Sequence, residues 1–190
     1  SGYRVPPDTI TLATLLRGQG FATGAFIGGF PLDSQFGLDR GFDVYDDLVN
    51  EVRGPADFAE SERPAEAVVA SALEWLGQRG TQKWFTWVHL YDPHAPNRPP
   101  EPFVRTYAGE PYAGEVAYTD YALGPLFSKV RALSNRPTLV VVTSDHGEGL
   151  GLFFLLFRVD FAQALGDVRR GQPLRLLQLF QLLFAGLCIR

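Results

Sequence analysis

Apolar residues recur at helical spacing through Thr11-Leu12-Ala13-Thr14-Leu15-Leu16-Arg17, with Thr9 placed to cap a short helix and Gly18 and Gly20 placed to stop it. Phe21-Ala22-Thr23-Gly24-Ala25-Phe26-Ile27, closed by Gly28-Gly29, reads as a short buried strand. Between residues 31 and 59 no period is legible among the Asp, Gly and aromatic residues, which predicts a structured loop. Pro64 suits the first turn of a helix over residues 65–76, and Gly80 lies past its end. Trp84-Phe85-Thr86-Trp87-Val88-His89-Leu90 is aromatic and β-branched and predicts a second strand, followed by a proline-rich loop (Pro93, Pro96, Pro99, Pro100, Pro102). An amphipathic helix is expected over residues 115–133. Pro137-Thr138-Leu139-Val140-Val141-Val142-Thr143 then gives the strongest strand pattern in the chain, an unbroken apolar run expected to be buried on both faces.

This order of elements predicts an α/β class: a mostly parallel sheet with helices on both faces, joined by right-handed crossovers. Ligands in such sheets sit beyond the carboxyl ends of the strands. That directs attention to the loops after Leu90 and after Thr143.

Composition narrows the function classes. The 190 residues are 46% hydrophobic and 20% charged, enough apolar content for a packed core and too much for a disordered chain. The net charge of −4 argues against a nucleic-acid partner, which would need a concentrated basic face. That charge is unevenly divided. Residues 1–150 carry 12 basic and 19 acidic side chains, a net of −7, whereas residues 151–190 carry five and two, a net of +3. Beyond Gly151 the text turns to Leu and Phe. Its apolar run over 176–189, with two Gln, is 14 residues, short of the roughly 20 that span a bilayer. The expected organisation is therefore a domain over 1–150 and a separate tail over 151–190, with a change of reading frame or a fusion near Gly149–Gly151 as the explanation to test. Cys188, the single cysteine, makes no internal disulfide and reads as an apolar filler. The absence of an initiating Met, or any Met, suggests a fragment or a processed chain.

Two segments could carry chemistry. Thr143-Ser144-Asp145-His146-Gly147-Glu148 follows the last predicted strand, and a turn from Ser144 would bring carboxylate and imidazole together. That pair suits a divalent cation: Ca²⁺ or Mg²⁺ by its carboxylate, Mn²⁺ or Zn²⁺ by its imidazole. A plain turn bearing a surface His is the other reading. In His89-Leu90-Tyr91-Asp92-Pro93-His94-Ala95-Pro96, His89 reads as a hydrogen-bonded core histidine. His94 is braced by Pro93 and Pro96 and is either a surface loop residue or an imidazole held for an anionic substrate, able to change charge near neutral pH. The acidic stretch from Asp33 to Asp47 lacks the spacing of a Ca²⁺ loop and reads as Asp-stabilised turns.

Taken together, Thr11-Leu-Ala-Thr-Leu-Leu-Arg, Gly20-Phe-Ala-Thr-Gly-Ala-Phe, Gly37-Leu-Asp-Arg-Gly-Phe-Asp-Val-Tyr-Asp-Asp, Val88-His-Leu-Tyr-Asp-Pro-His-Ala-Pro and Ser144-Asp-His-Gly-Glu resemble, in the same order, the central part of a sulfatase. The likeness covers about residues 1–150 and places the chain in the sulfatase branch of the alkaline-phosphatase superfamily. It implies an incomplete alkaline-phosphatase-like core and a metal-dependent hydrolase of small-molecule or glycan sulfate esters. In that family a formylglycine attacks sulfur as its hydrate, and a divalent metal, usually Ca²⁺ or Mg²⁺, holds the sulfate oxygens. The resemblance carries Asp145 and His146 over as metal ligands and His94 as the side chain that contacts the sulfate group or the leaving oxygen. The formylglycine signature Cys/Ser-x-Pro/Ala-x-Arg does not occur in the chain, so no catalytic nucleophile is assigned. No His or Lys follows His146, where the family carries a substrate-binding Lys. The chain alone is accordingly expected to be inactive. A phosphodiesterase or phosphoglycerol transferase of the same superfamily, and a non-catalytic degenerate remnant, are the alternatives. The resemblance favours a periplasmic or extracellular location.

Overall fold

The computed structural model describes residues 4–48, 62–133 and 137–146. They fall in two compact units divided after Arg136, each taken here by itself.

In the first unit, helix α1 (Leu12–Gly18) leads into strand β1 (Ala22–Ile27). Its cap is Thr11, not Thr9: the Thr11 hydroxyl oxygen accepts from Thr14 N at 3.1 Å and donates to Arg40 O at 2.8 Å. Two 3₁₀ turns (Phe30–Leu32, Ser34–Phe36) and a short strand β2 (Val44–Asp46) occupy the predicted loop. Three residues are too few to show an alternating pattern, which is why β2 does not stand out in the sequence. Helix α2 (Ala65–Gly77) and strand β3 (Trp84–His89) follow, then α3 (Phe103–Thr106) and α4 (Pro111–Ala132). The sheet runs β2-β1-β3 with both pairings parallel; Gly24 pairs with Val44 on one side and Thr86 on the other. A parallel sheet flanked by helices is the architecture the hydrophobic pattern predicts.

β1 is central and fully buried. Alternate side chains leave opposite faces of a strand, so Ala22 and Phe26 share one face. They pack with the α2 stripe Val68, Val69, Ala72, Trp75 and Leu76 and with Leu126 of α4. Gly24 lies between them because the Trp75 indole occupies its side-chain space: a Cβ there would meet Trp75 Cε2 at 2.8 Å. Phe26 meets the same indole edge to face at 5.9 Å. On the other face, buried Thr23 is tied to Asp43. Thr23 N and Oγ1 donate to Asp43 Oδ2 at 2.9 and 3.1 Å, and Arg17 pairs with Asp43 at 2.7 Å. The acidic stretch thus behaves as Asp-stabilised turns: Asp33 accepts from Gln35 N and Asp47 from Ser34 N.

The second unit differs from expectation. Among the described residues, 137–143 have no strand pairing, and Leu139 and Val141 are each 71% exposed instead of buried on both faces. An apolar, β-branched run supplies strand propensity, but a strand also requires a hydrogen-bonded neighbour, and this segment has none among the described residues. The expected tail over 151–190, with Cys188, lies outside the described residues, as do Gly147 and Glu148. Among the described residues no helix is long and apolar enough to cross a membrane.

Candidate functional site

The loop leaving the carboxyl end of β3 carries His94. It begins against the turn that ends β1. A Cβ on Gly28 would meet His89 O at 2.8 Å, and one on Gly29 would meet the Tyr91 ring at 2.6 Å, so two residues without side chains let Tyr91 lie over the strand end. Tyr91 stacks on His94, with centroids 4.4 Å apart and planes at 17°. His94 N donates to Tyr91 O at 3.0 Å, and its Nδ1 lies 2.7 Å from Ala95 O. A carbonyl can only accept, so that contact places a proton on Nδ1 and leaves Nε2 for other chemistry. His89 is half-buried, not a core residue, with its ring 6.2 Å from Trp87 and 6.1 Å from Tyr91.

Two carboxylates fix the loop on two helices. Asp92 Oδ1 accepts from Ala65 N at 3.2 Å, at the start of α2, and its Oδ2 is buried without a hydrogen-bond partner among the described residues. Glu115, on α4 and only 5% exposed, accepts from Asn97 Nδ2 at 2.7 Å and from Arg98 N at 2.5 Å. Beside it, Gly114 leaves room for Pro99, whose Cγ would lie 2.8 Å from a Cβ. Glu62 approaches from the segment before α2, where it bridges to Gly29.

These acids share one electrostatic neighbourhood. Burial raises the Glu115 pKa; the Asn97 and Arg98 hydrogen bonds oppose the rise and the Asp92 charge adds to it. Burial likewise raises Asp92, against the hydrogen bond from Ala65 and with repulsion from Glu66. Glu62 is raised by burial and by the charges of Asp92 and Glu115, with His94 and Arg98 pulling the other way. Tyr118, whose hydroxyl reaches Glu66 at 3.4 Å, is pushed up to about 12, chiefly by burial. His94 therefore stands beside a group of partly buried acids.

Asp145 and His146 belong to the second unit. His146 N donates to Asp145 Oδ1 at 3.0 Å, and His146 Nε2 lies 3.8 Å from Asp145 Oδ2, with side chains 62% and 85% exposed for His146 and Asp145. The two heads are adjacent, at a bend centred on Asp145. One carboxylate and one imidazole suit a divalent cation chemically but supply only part of a coordination shell. Among the described residues no group of three His, Cys, Asp or Glu side chains gathers as a metal site.

The sequence singles out His94 as a candidate but not the carboxylates that hold its loop. Asp92 lies within the quoted motif, whereas Glu115 reads as the polar side of an amphipathic helix; only its place next to Gly114 on a helix otherwise predicted to pack hints at burial.

The fold is a parallel sheet flanked by helices, with a proline-braced histidine in the loop beyond a strand's carboxyl end. The sulfatase family matches residues 4–171, and the chain belongs to that family. The match runs past residue 150. Among solved structures, the chain is similar to a protein in the alkaline phosphatase superfamily from Vibrio parahaemolyticus, at 25% identity and TM-score 0.47 over 70% of this chain and 32% of that one. It is also similar to the lipoteichoic acid synthase LtaP from Listeria monocytogenes, at 22% identity and TM-score 0.48 over 70% and 35%. The chain thus spans about a third of the length of these proteins. A comparison with curated proteins finds no match.

Proposed function

We propose that the chain carries part of the site of a metal-dependent sulfuric ester hydrolase, with His94 as the residue that meets the ester anion of a small-molecule or glycan sulfate. The observation that supports this reading is the immobilised imidazole: stacked on Tyr91 at 4.4 Å, with Nδ1 engaged by Ala95 O. With Nδ1 occupied, a protonated Nε2 can donate to a sulfate oxygen or to the departing ester oxygen, as general acid catalysis requires.

Asp145 and His146 would hold the divalent cation, Ca²⁺ or Mg²⁺, with Mn²⁺ or Zn²⁺ also compatible with the imidazole. Such a cation would supply Lewis-acid stabilisation of developing charge on ester oxygens. A formylglycine nucleophile belongs to the same reading, and none of the 190 residues lies in a signature that would form it. The chain by itself is therefore proposed to bind the anion without turning over the ester, at a periplasmic or extracellular location.

Inorganic sulfate titrated into the purified chain should shift the His94 ring resonances at millimolar concentration, and His94→Gln should remove that response while the remaining spectrum persists. No His94 response to sulfate would sink the reading. Turnover of an aryl sulfate by the chain alone would overturn its proposed inactivity, and turnover of a phosphodiester instead would favour a phosphodiesterase or phosphoglycerol transferase.

A further inference from the structure

A buried carboxylate on a helix is costly, and Glu115 contributes nothing apolar to the α2–α4 core. Its oxygens are instead both engaged by the loop that carries His94: Oε2 by Asn97 Nδ2 at 2.7 Å and Oε1 by Arg98 N at 2.5 Å. Charged acceptors make the stronger hydrogen bonds, and burial protects this pair from competing water. Next to it, Gly114 receives Pro99 in space that a side chain would fill. The first turns of α4 are thus shaped to seat residues 97–99.

His94 lies between two fixed points. Two residues before it, Asp92 is held at the start of α2 by Ala65 N; three residues after it, Asn97 is held by Glu115. The intervening chain contains Pro93 and Pro96, whose rings fix φ and leave few ways to absorb a shift at either end. A movement of Asn97 is therefore passed to His94 and to its stack on Tyr91.

We propose that Glu115 is a positioning residue for His94, holding the imidazole in place through Asn97 and Arg98. This rests on the reading of His94 as the anion-contacting residue, but the position of the ring can be measured without any anion. Stacking on Tyr91 at 4.4 Å gives the His94 ring protons an upfield ring-current shift, and this shift reports the geometry.

The test uses the full 190-residue chain with no ligand, the His94 signals being assigned by their loss in His94→Gln. E115Q keeps one oxygen for Arg98 N–H and leaves Asn97 only a neutral contact, reached by turning its amide oxygen to the new NH₂, in place of the charge-assisted bond. The His94 signals should lose at least half of their ring-current shift, and backbone amide signals of β1 and β3 should stay in place. Adding N97D exchanges amide and carboxylate across the same contact and should restore the shift. N97A, which leaves the buried carboxylate untouched, should give a partial loss and serves as the second route if E115Q does not fold. Unmoved His94 signals in folded E115Q or in N97A would overturn the proposal, and so would a loss that N97D fails to reverse, because loss of charge and not the bonded anchor would then be responsible. Inorganic sulfate is added last. A wild-type chain whose His94 is stacked but ignores sulfate would refute the anion-contact reading and leave the positioning role standing.

Discussion

Asp43 and the acids around the His94 loop lie on opposite sides of the same balance between burial and bonding. For Asp43, burial is the largest influence and pushes the pKa up. The Thr23 hydrogen bonds and Arg17 together outweigh it, and the net value falls below the ordinary 3.8. Glu62, Asp92 and Glu115 have fewer compensating partners and stay above their ordinary values. A carboxyl group with a raised folded-state pKa binds more protons folded than unfolded, so its contribution to stability falls as pH rises through the interval above its ordinary value. A lowered group contributes stability above its unfolded value and loses it as pH falls through its folded value. The first unit should therefore gain thermal stability on acidification from neutral pH towards the ordinary Glu value of 4.5, then lose it below 3.8 as Asp43 protonates. Calorimetry across that range checks the sign, and a midpoint that declines steadily from neutral pH downward would contradict it. Little of this is legible in the text. Asp43 and Asp92 are ordinary loop residues in sequence, and only the fold shows that one is met by a strand hydroxyl and the other leaves an oxygen buried with no partner among the described residues.

The helices and long strands are a different matter, since period is a property of neighbours in sequence. α2 follows its apolar stripe and its proline start, and β1 and β3 follow their apolar and aromatic runs. β2 and the 137–143 segment mark the limit: β2 is a strand because β1 lies beside it, and 137–143 has the composition of a strand without a described partner. The short strand is also secured from outside the sheet. Arg63, ahead of α2, pairs with Asp46 at 2.9 Å, with the two side chains only 13% and 15% exposed. It also donates to Ala67 O at 3.2 Å and Ser71 Oγ at 2.5 Å. The guanidinium joins the end of β2 to the first turns of α2, two elements separated in sequence by residues 47–64. Arg63→Met would keep most of the side-chain volume and leave Asp46 as an uncompensated, largely buried charge, for which about 3–5 kcal/mol of destabilisation is expected. Urea unfolding of the variant measures it. A loss below about 1 kcal/mol would mean that the pair behaves as a solvent-screened surface bridge.

At the scale of the whole chain, the two candidate motifs fall in two units. The first holds the imidazole proposed to meet the ester anion, and the second holds the proposed metal ligands, a division the sequence shows as two motifs about 50 residues apart. The second motif offers one carboxylate and one imidazole, both well exposed, with heads 3.8 Å apart. Coordination replaces water around the cation, and with two donors most of the shell remains water, so the gain per ion is small. Imidazole adds affinity for Mn²⁺ over Ca²⁺ or Mg²⁺, because it is the softer donor. Millimolar Mn²⁺ should therefore broaden the His146 ring signals before those of His89 or His94. Asp145→Asn removes the charged ligand but keeps an amide oxygen, and it should raise the concentration needed by about tenfold, the equivalent of ~1.4 kcal/mol. Broadening that spreads evenly over all three histidines, or that is unchanged in D145N, would show the motif to be a turn with a surface histidine. Micromolar affinity would be as informative, since two side chains cannot provide it and further ligands from this chain would then have to be found.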